Sequence, residues 1–262
     1  MTDTARSGPL LMVDGVSVRF GAVQALEGVS FEIQKGEVLA IIGPNGAGKT
    51  TMLNAISGFY HPYEGRIVFD GKDRTRLSAH EVARLGIART FQNVALFKGM
   101  SVLDNIMTGR LLKMKGHFLL EAAYWGPARR QELEHRAFVE RIIDFLEIQA
   151  IRKTPAARLP YGLQKRVELA RALAAEPRLL LLDEPMAGMN VEEKEDMCRF
   201  VLDVNQEFGT TIALIEHDMS VVMDIADGVV VLDYGRKIAD GPPAEVRTDK
   251  VVIDAYLGVS HA

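Results

Sequence analysis

Hydrophobic and polar residues alternate in several short stretches near the start of the chain. Residues 16–20 read Val-Ser-Val-Arg-Phe and residues 29–33 read Val-Ser-Phe-Glu-Ile, with glycine-containing breaks between them. A period of two residues is typical of strands that bury one face, so we predict two or three strands between Leu11 and Ile42. Residues 65–71 form another predicted strand that ends in Asp-Gly, a sequence that favours a tight turn.

Three other segments are almost wholly apolar and are predicted to be strands buried on both faces: residues 38–42, 179–182 and 211–215. A polar segment from about Val191 to Phe208 is predicted to be a helix between the last two strands. This strand, helix, strand order is typical of parallel sheets. A further helix is expected from Gly48 to about Ser57. The pattern therefore predicts an α/β fold.

The pattern changes to a helical period between residues 93 and 155, which indicates an inserted helical lobe. The clearest helix is predicted over residues 131–148. Four of its apolar side chains are expected to share one face: Leu133, Ala137, Ile142 and Phe145. Near the end of the chain, Gly241-Pro-Pro243 marks a boundary before a short C-terminal helix.

Composition and charge narrow the class of protein. The 262 residues are 48% apolar and 25% charged, as in ordinary globular proteins. The formal charge of −4 provides no overall positive field, which makes nucleic acid a poor candidate partner. The single cysteine, Cys198, cannot form an internal disulfide and lacks neighbouring zinc ligands, so a reducing cytosol is expected. No secretory signal pattern is evident, and no apolar run approaches the roughly 20 residues of a membrane-spanning helix.

A glycine-rich segment follows the first fully apolar strand directly. Residues 43–50 read Gly-Pro-Asn-Gly-Ala-Gly-Lys-Thr and match the phosphate-binding loop pattern. Its glycines let backbone amides approach phosphate oxygens, and the following helix contributes its positive N-terminal end. Lys49 is expected to neutralise the β and γ phosphates, and Thr50 to offer a hydroxyl to Mg²⁺. The predicted nucleotide contacts in this loop are Gly43, Pro44, Asn45, Gly46, Ala47, Gly48, Lys49, Thr50 and Thr51.

Two acids stand at the end of a second apolar strand, in Leu-Leu-Leu-Leu-Asp-Glu over residues 179–184. A phosphate loop needs a second metal anchor, and Asp183 is predicted to hold Mg²⁺ through water. Glu184 is predicted to accept a proton from attacking water, which is too weak a nucleophile unaided. Two acids that only cap the turn before Pro185 are the alternative.

The turn Leu159-Pro-Tyr-Gly-Leu163 opens a helix whose side chains Val167, Leu169, Ala170 and Leu173 are expected to pack inward. With the phosphate loop and the two acids, this turn resembles the signature loop, usually Leu-Ser-Gly-Gly-Gln, of ATP-binding cassette (ABC) ATPases, the nucleotide-driven subunits of ABC transporters. The resemblance implies that Gly162 and the helix N-terminus clamp the γ phosphate of ATP bound to the opposing subunit. Three positions differ from the usual loop: Pro160, Tyr161 and Leu163.

Other positions take roles from this resemblance. Phe20 resembles the aromatic residue that stacks on adenine, although a core strand residue is the alternative. Gln92, in Arg89-Thr-Phe-Gln-Asn93, resembles the glutamine that reaches Mg²⁺ and the attacking water. His217 resembles the switch histidine that contacts the γ phosphate. Residues 187–190 occupy the loop that contacts the opposite subunit, with Asn190 where many relatives have Asp.

The resemblance extends from about Leu11 to Gly258. It implies an α/β P-loop NTPase core with a mainly parallel sheet, an N-terminal antiparallel β subdomain and an inserted α-helical subdomain. We expect one domain over residues 8–262, in which residues 8–92 and 156–258 form the ATP-binding core. Residues 93–155 then form the helical subdomain, which extends into the signature helix to about residue 175.

Four stretches are similar to the ATP-binding subunits of branched-chain amino acid importers: the Pro-Tyr-Gly turn and residues 185–190, 215–219 and 255–258. This likeness implies an ATPase that uses ATP and Mg²⁺ and pairs with a second, identical or paralogous cassette. It also implies two membrane permease subunits, an indirect periplasmic solute-binding protein, no nucleic acid partner, and a place on the cytoplasmic side of the inner membrane. The segment from Phe118 to Trp125 would dock a permease helix or lipid headgroups, or pack on its own lobe.

Three alternatives share the same nucleotide site. A cassette ATPase could act on nucleic acid or ribosomes, but the short lobe and the absence of a basic tail disfavour it. An importer cassette could serve another small polar solute. A non-hydrolysing regulatory cassette would be expected to lack Glu184 or His217, and both are present.

Overall fold

A computed structural model describes residues 8–114 and 127–257 of the chain. The predicted docking segment from Phe118 to Trp125 lies outside these residues. In chain order the strands are β1 Leu11–Phe20, β2 Val23–Ile33, β3 Val38–Ile42, β4 Glu64–Phe69, β5 Lys72–Asp73, β6 Ile87–Arg89, β7 Leu179–Asp183, β8 Thr211–Ile215, β9 Gly228–Asp233 and β10 Arg236–Gly241. The helices are α1 Lys49–Ile56, α2 Ala79–Arg84, α3 Val102–Thr108, α4 Pro127–Phe145, α5 Tyr161–Leu173, α6 Val191–Phe208, α7 Met219–Ile225, α8 Pro243–Val246 and α9 Lys250–Leu257.

The larger sheet has the strand order β10-β9-β3-β8-β7-β6. Each neighbouring pair from β9 to β6 is parallel, and β10 pairs antiparallel with β9 at one edge. The expected bounds of β3, β8 and α6 are confirmed, because continuous apolar runs and a long polar helix leave little ambiguity of type. The mainly parallel sheet predicted from the sequence is therefore confirmed.

The smaller sheet is antiparallel, with the strand order β2-β1-β4-β5. The predicted Asp-Gly turn joins β4 to β5, and both turn residues, Asp70 and Gly71, have positive φ angles of 52° and 70°. Such angles match the twist of the flanking strands, which is why Asn-Gly and Asp-Gly sequences favour these turns. The N-terminal antiparallel region of the predicted fold is therefore present.

The larger sheet is buried on both faces. In β3, Val38, Ala40 and Ile42 belong to a core cluster shared with the helices, whereas Leu39 and Ile41 belong to a second cluster shared with the antiparallel sheet and α1. Strands β7 and β8 divide their side chains between the clusters in the same way. Because side chains alternate across a strand, a wholly apolar strand is required for this position between two layers.

Helix α4 is present, but it spans Pro127–Phe145 where residues 131–148 were predicted, and its expected inward face is partly wrong. Ile142 is buried, whereas Ala137 is exposed and the Leu133 side chain is 58% exposed. At about 100° per residue, Leu133 lies on the opposite side of the helix from Ile142. The buried face carries His135, Val139, Ile142 and Ile143, and Leu146 is buried just after the helix ends. None of the helices in residues 8–114 and 127–257 is long and apolar enough to cross a membrane.

Candidate active site

The predicted site residues follow strands that end at the same edge of the larger sheet. The adjacent parallel strands β3, β8, β7 and β6 lead into the phosphate loop, His217, Glu184 and Gln92 respectively. The carboxyl ends of parallel strands share one edge, and open α/β sheets bind ligands there. The topology thus brings together four segments that are far apart in sequence.

Two glycines of the phosphate loop are required by close backbone packing. A Cβ atom at Gly43 would lie 1.9 Å from the Leu232 carbonyl oxygen, and one at Gly48 would lie 2.7 Å from the Ala25 carbonyl oxygen. Both residues also have positive φ angles, 143° and 100°. The loop is therefore packed against β2 and β9 so closely that side chains at these positions do not fit.

Lys49 curls back over the phosphate loop. Its Nζ donates hydrogen bonds to the carbonyl oxygens of Gly43, at 2.7 Å, and Pro44, at 2.9 Å. Burial lowers the pKa of the Lys49 ammonium, and the nearby charges of Glu184 and Asp183 oppose this shift. These contacts hold the ammonium group on the loop, close to the two acids predicted from the sequence.

The loop is also anchored from the C-terminal end of the chain. The amide of Gly43 donates a hydrogen bond of 2.9 Å to Tyr256 Oη on α9. Burial raises the pKa of the Tyr256 phenol. The residue was not predicted as part of the site, although it lies in the Ala255-Tyr-Leu-Gly258 ending that resembles the importer subfamily.

Glu184 brings together two other predicted catalytic residues. Gln92 Nε2 donates a hydrogen bond of 2.9 Å to Glu184 Oε2, and His217 Nε2 lies 3.4 Å from the same oxygen. The backbone of Glu184 has a φ of 50°, an unfavourable region for a residue with a side chain. Such conformations persist when the surroundings enforce them and are concentrated at functional sites.

Asp183 is almost fully buried, and its two carboxylate oxygens have different surroundings. Its Oδ2 accepts a 2.9 Å hydrogen bond from Arg89, whose other nitrogen donates to Asn54 Oδ1. Among the described residues, Asp183 Oδ1 has no hydrogen-bond partner. A buried carboxylate oxygen without a partner is costly, so Asp183 is suited to a cation or an ordered water.

An open cleft lies over the phosphate loop. Residues Val23 to Ala25 of β2 line it, together with Gln92 and Glu184. The loop residues that line it are Asn45, Gly46, Ala47, Gly48, Lys49, Thr50 and Thr51. The predicted phosphate-contacting side chains thus face the same space as the predicted general base.

Phe20 ends β1 close to these β2 residues. Its side chain is 45% exposed, and its ring packs edge-on against Tyr60 with 4.9 Å between the ring centroids. The alternative that Phe20 is a core strand residue is therefore wrong. An exposed ring beside a nucleotide cleft is compatible with the predicted adenine contact.

The signature turn lies at the start of α5, with Pro160 as the N-cap residue. Gly162 is buried against the Glu193 carboxylate, and Tyr161 packs against Gly188 in the loop expected to meet the opposite subunit. Asn190 in that loop caps α6, because its side chain accepts a 2.9 Å hydrogen bond from the Glu193 amide. Asn190 therefore has a local role that needs no carboxylate.

The inward side chains expected for α5 are confirmed, since Val167, Leu169, Ala170 and Leu173 are buried. Two charged residues of α5, Lys165 and Glu168, are buried as well. The pattern of apolar residues does not reveal this second buried face. Lys165 Nζ donates a 2.8 Å hydrogen bond to the carbonyl oxygen of Gln92, so α5 packs directly against a predicted catalytic segment.

Comparisons with known proteins identify the family of the chain. The family model described as ABC transporter matches residues 26–187, more than half of the chain. The chain belongs to the ABC transporter family of ATP-binding cassettes. Residues 236–262 of this cassette also match a model described as branched-chain amino acid ATP-binding cassette transporter.

Three relatives illustrate the range of similarity. The cassette is 40% identical, over 96% of its length and 99% of the relative, to the high-affinity branched-chain amino acid transport ATP-binding protein BraF of Pseudomonas aeruginosa. It is 34% identical, with a TM-score of 0.83, to the ADP conformation of the cassette MJ1267, covering 96% of this chain and 99% of that one. The dimeric cassette MJ0796 is 25% identical, with a TM-score of 0.75 and coverage of 89% and 98%.

Family membership establishes the general activity of the chain. The cassette is an ATPase and binds a nucleotide. The observed P-loop fold, with its mixed sheets and helices, is the fold predicted from the sequence.

Proposed function

We propose that this cassette drives a membrane importer for branched-chain amino acids by hydrolysing ATP at the interface of a cassette dimer. The observation that carries the proposal is the meeting of Gln92 and His217 at one oxygen of Glu184, beside the cleft of the phosphate loop. A base next to the phosphate site, with two polar groups on the same oxygen, is the arrangement that activates water for phosphoryl transfer.

The hydrolysis step follows from these positions. Glu184 accepts a proton from the water that attacks the γ phosphate, while the Gln92 amide orients that water. Lys49 stabilises the charge on the leaving phosphate oxygens, and His217 contacts the transferred phosphoryl group. Phe20 stacks on the adenine ring, at the opening of the cleft.

The oxygen atoms at and near Asp183 are suitable ligands for Mg²⁺. The unpartnered, buried Asp183 Oδ1 is an oxygen ligand of the kind that Mg²⁺ prefers, as are the Thr50 hydroxyl and the Gln92 amide oxygen. These three residues would hold the ion together with phosphate oxygens. When bound, Mg²⁺ neutralises the negative charge of the phosphates. Arg89 fixes the Asp183 carboxylate through its other oxygen, so that Oδ1 keeps its orientation.

The residues of the described chain that line the cleft do not include the signature turn. The proposed site therefore requires a second cassette to supply this turn. Pro160 and Tyr161 are exposed at the start of α5, and the free amides of this first turn, beside the buried Gly162, would contact a phosphate of the opposing subunit. The contacting residues would be Pro160, Tyr161, Gly162 and Leu163. The dimeric state of MJ0796 supports this arrangement.

The transported substrate is proposed from the relatives. BraF is described as a branched-chain amino acid transport protein, and the match of residues 236–262 points to the same subfamily. The amino acid itself would be recognised by two permease subunits and a periplasmic binding protein, with the cassette held on the cytoplasmic side of the inner membrane.

The test is to purify the cassette from membranes in mild detergent and to measure ATP hydrolysis by the resulting complex. We expect permease subunits to co-purify, and leucine-loaded binding protein to stimulate hydrolysis more than the unloaded protein does. A complex stimulated only by another solute would overturn the branched-chain assignment. A cassette without permease subunits, stimulated by nucleic acid, would overturn the importer role.

A further inference from the structure

The face of α5 that meets residues 91–95 carries three charged residues spaced three apart. We call Lys165, Glu168 and Arg171 the polar strip. Residues with this spacing lie along one side of a helix. All three contact the backbone of residues 91–95, the irregular segment that contains Gln92.

Glu168 and Arg171 contact the two ends of this segment. Arg171 Nη1 donates a 2.5 Å hydrogen bond to the Ala95 carbonyl oxygen. Glu168 Oε1 accepts longer hydrogen bonds, of 3.3 Å and 3.4 Å, from the amides of Phe91 and Ala95. Because these bonds involve backbone groups, they fix the path of the segment whatever its side chains are.

Within the polar strip, Lys165 is the member that contacts both Gln92 and Glu184. Its Nζ donates at 2.8 Å to the Gln92 carbonyl oxygen and lies 3.4 Å from the Glu184 carbonyl oxygen. A lysine ammonium has three N–H donors, and a third backbone oxygen, that of Phe91, lies at 3.5 Å. The side chain is 4% exposed, so these carbonyl groups take the place of water around it.

The position of Lys165 in α5 gives these contacts a second consequence. Lys165 lies about one helical turn after Tyr161 and Gly162, at the start of the same helix. A displacement of the signature turn is transmitted by a rigid helix to the Lys165 ammonium. The turn and the catalytic pair of one chain are thereby linked mechanically.

We propose that Lys165 is a positioning residue that holds Gln92 and Glu184 in register and couples them to the signature turn of the same chain. In a dimer, the turn meets nucleotide in the opposite site, so Lys165 connects one ATP site to the hydrolytic residues of the other. This inference rests on the proposed roles of Glu184, Gln92 and the signature turn.

The test compares full-length wild type, Lys165→Met, Lys165→Arg and the control Arg166→Met. Arg166 is the next residue of α5 and pairs with Asp196 instead of the catalytic segments. We expect Lys165→Met to lower kcat about tenfold, because small misplacements of catalytic groups are costly. The dissociation constant of a fluorescent ATP analogue should stay within about twofold, and Lys165→Arg should restore part of kcat because its N–H groups still reach carbonyl oxygens.

A double variant tests whether Lys165 acts through Gln92. If it does, adding Lys165→Met to Gln92→Ala should lower kcat by clearly less than the product of the two single effects. Fully multiplicative effects would overturn action through Gln92. A kcat for Lys165→Met within twofold of wild type, or an equal loss in Arg166→Met, would overturn the positioning role.

Two further measurements distinguish a failure of the inference about Lys165 from a failure to fold and from a failure of the proposed function. If thermal unfolding shows that Lys165→Met does not fold, Lys165→Gln replaces it, and its single amide donor group should give an intermediate kcat; a wild-type kcat would overturn the inference. Glu184→Gln is measured alongside. Normal turnover by Glu184→Gln would remove the proposed function itself, whereas an inactive Glu184→Gln with an unaffected Lys165→Met would remove only the inference.

Discussion

At the scale of single residues, the site depends on backbone positions that few side chains tolerate. Glu184 has a positive φ angle and donates its amide hydrogen to the Ile215 carbonyl oxygen, at 3.0 Å. This bond ties the residue after β7 to the end of β8. The carboxylate is therefore oriented by backbone geometry and held by Gln92, so we expect a single exchange of Glu184 to remove hydrolysis without unfolding the chain.

Gly43 gives a prediction at this scale. Gly43→Ala introduces a Cβ that would overlap the Leu232 carbonyl oxygen, 1.9 Å away, so the loop must shift. Gly71→Ala is the matched control, because Gly71 has a positive φ of 70° but no atom near its Cβ. We expect the free energy of unfolding in urea to fall by about 1 kcal/mol in Gly71→Ala and by about 3 kcal/mol in Gly43→Ala. Equal losses would show that packing at Gly43 is unimportant.

At the scale of elements, the sequence pattern predicted the positions of strands that are buried on both faces. It was less successful in predicting which side of a helix is buried. Strand β3 and helix α6 have the expected bounds, because a continuous apolar run and a long polar helical pattern each indicate one type of element. The three-residue strand β6 was not predicted, although it places Arg89 against Asp183. Its position depends on parallel pairing with β7, which no local pattern contains.

Part of the candidate site could also be predicted from the sequence. The phosphate loop, Asp183 and Glu184 are local motifs, and Gln92 and His217 came from family resemblance. The contacts of Lys165 and Tyr256 join elements distant in sequence, 73 and 213 residues apart. A buried lysine in an otherwise amphipathic helix looks like a surface residue until its carbonyl partners are known.

Helix α7 gives a prediction about pH. Its N-cap residue Asp218 pairs with Lys194 at 2.8 Å, and hydrogen bonds from Lys194 and Ser220 lower the pKa of Asp218 to about 2. Since an unfolded aspartate has a pKa of about 3.9, Asp218 stabilises the fold above that pH and loses this effect as the pH falls towards 2. Asp218→Asn should therefore lower the unfolding free energy at pH 7 by about 0.5–1 kcal/mol, because the pair is partly exposed.

Urea unfolding between pH 7 and pH 3 tests this expectation. The difference between wild type and Asp218→Asn should shrink as the pH falls. Lys194→Met serves as the control, because it removes the ion pair and keeps the N-cap carboxylate. A difference that grows at low pH would contradict the assigned sign.

At the scale of the whole molecule, the proposed active site is divided between two chains. The phosphate loop, Asp183 and Glu184 lie at the edge of the larger sheet, whereas the signature turn lies at the start of α5 and packs beside residues 187–190. Closing two cassettes around nucleotide would complete both sites together. The movement of α5 would accompany the closure, which is how hydrolysis would be coupled to the permease.

This division predicts that dimerisation depends on the γ phosphate. Glu184→Gln blocks proton removal from water, so bound ATP should persist and bridge two chains. We expect light scattering after size-exclusion chromatography to give twice the 28.9 kDa chain mass with Glu184→Gln and Mg²⁺-ATP. The same variant with ADP should remain a monomer, since the bridging phosphate is missing. Dimers of equal amount with both nucleotides would contradict a γ-phosphate bridge.

The most direct test of the hydrolytic site is the steady-state ATPase rate of the full-length chain, with Glu184→Gln compared with Glu192→Gln. Glu192 is an exposed acid in the first turn of α6, so its exchange removes a carboxylate away from the cleft. We expect Glu184→Gln to lower kcat by about 10²–10⁴-fold, the usual contribution of a general base, with nucleotide binding retained. The control should hydrolyse ATP like wild type. Equal rates for Glu184→Gln and wild type would show that Glu184 is not the general base.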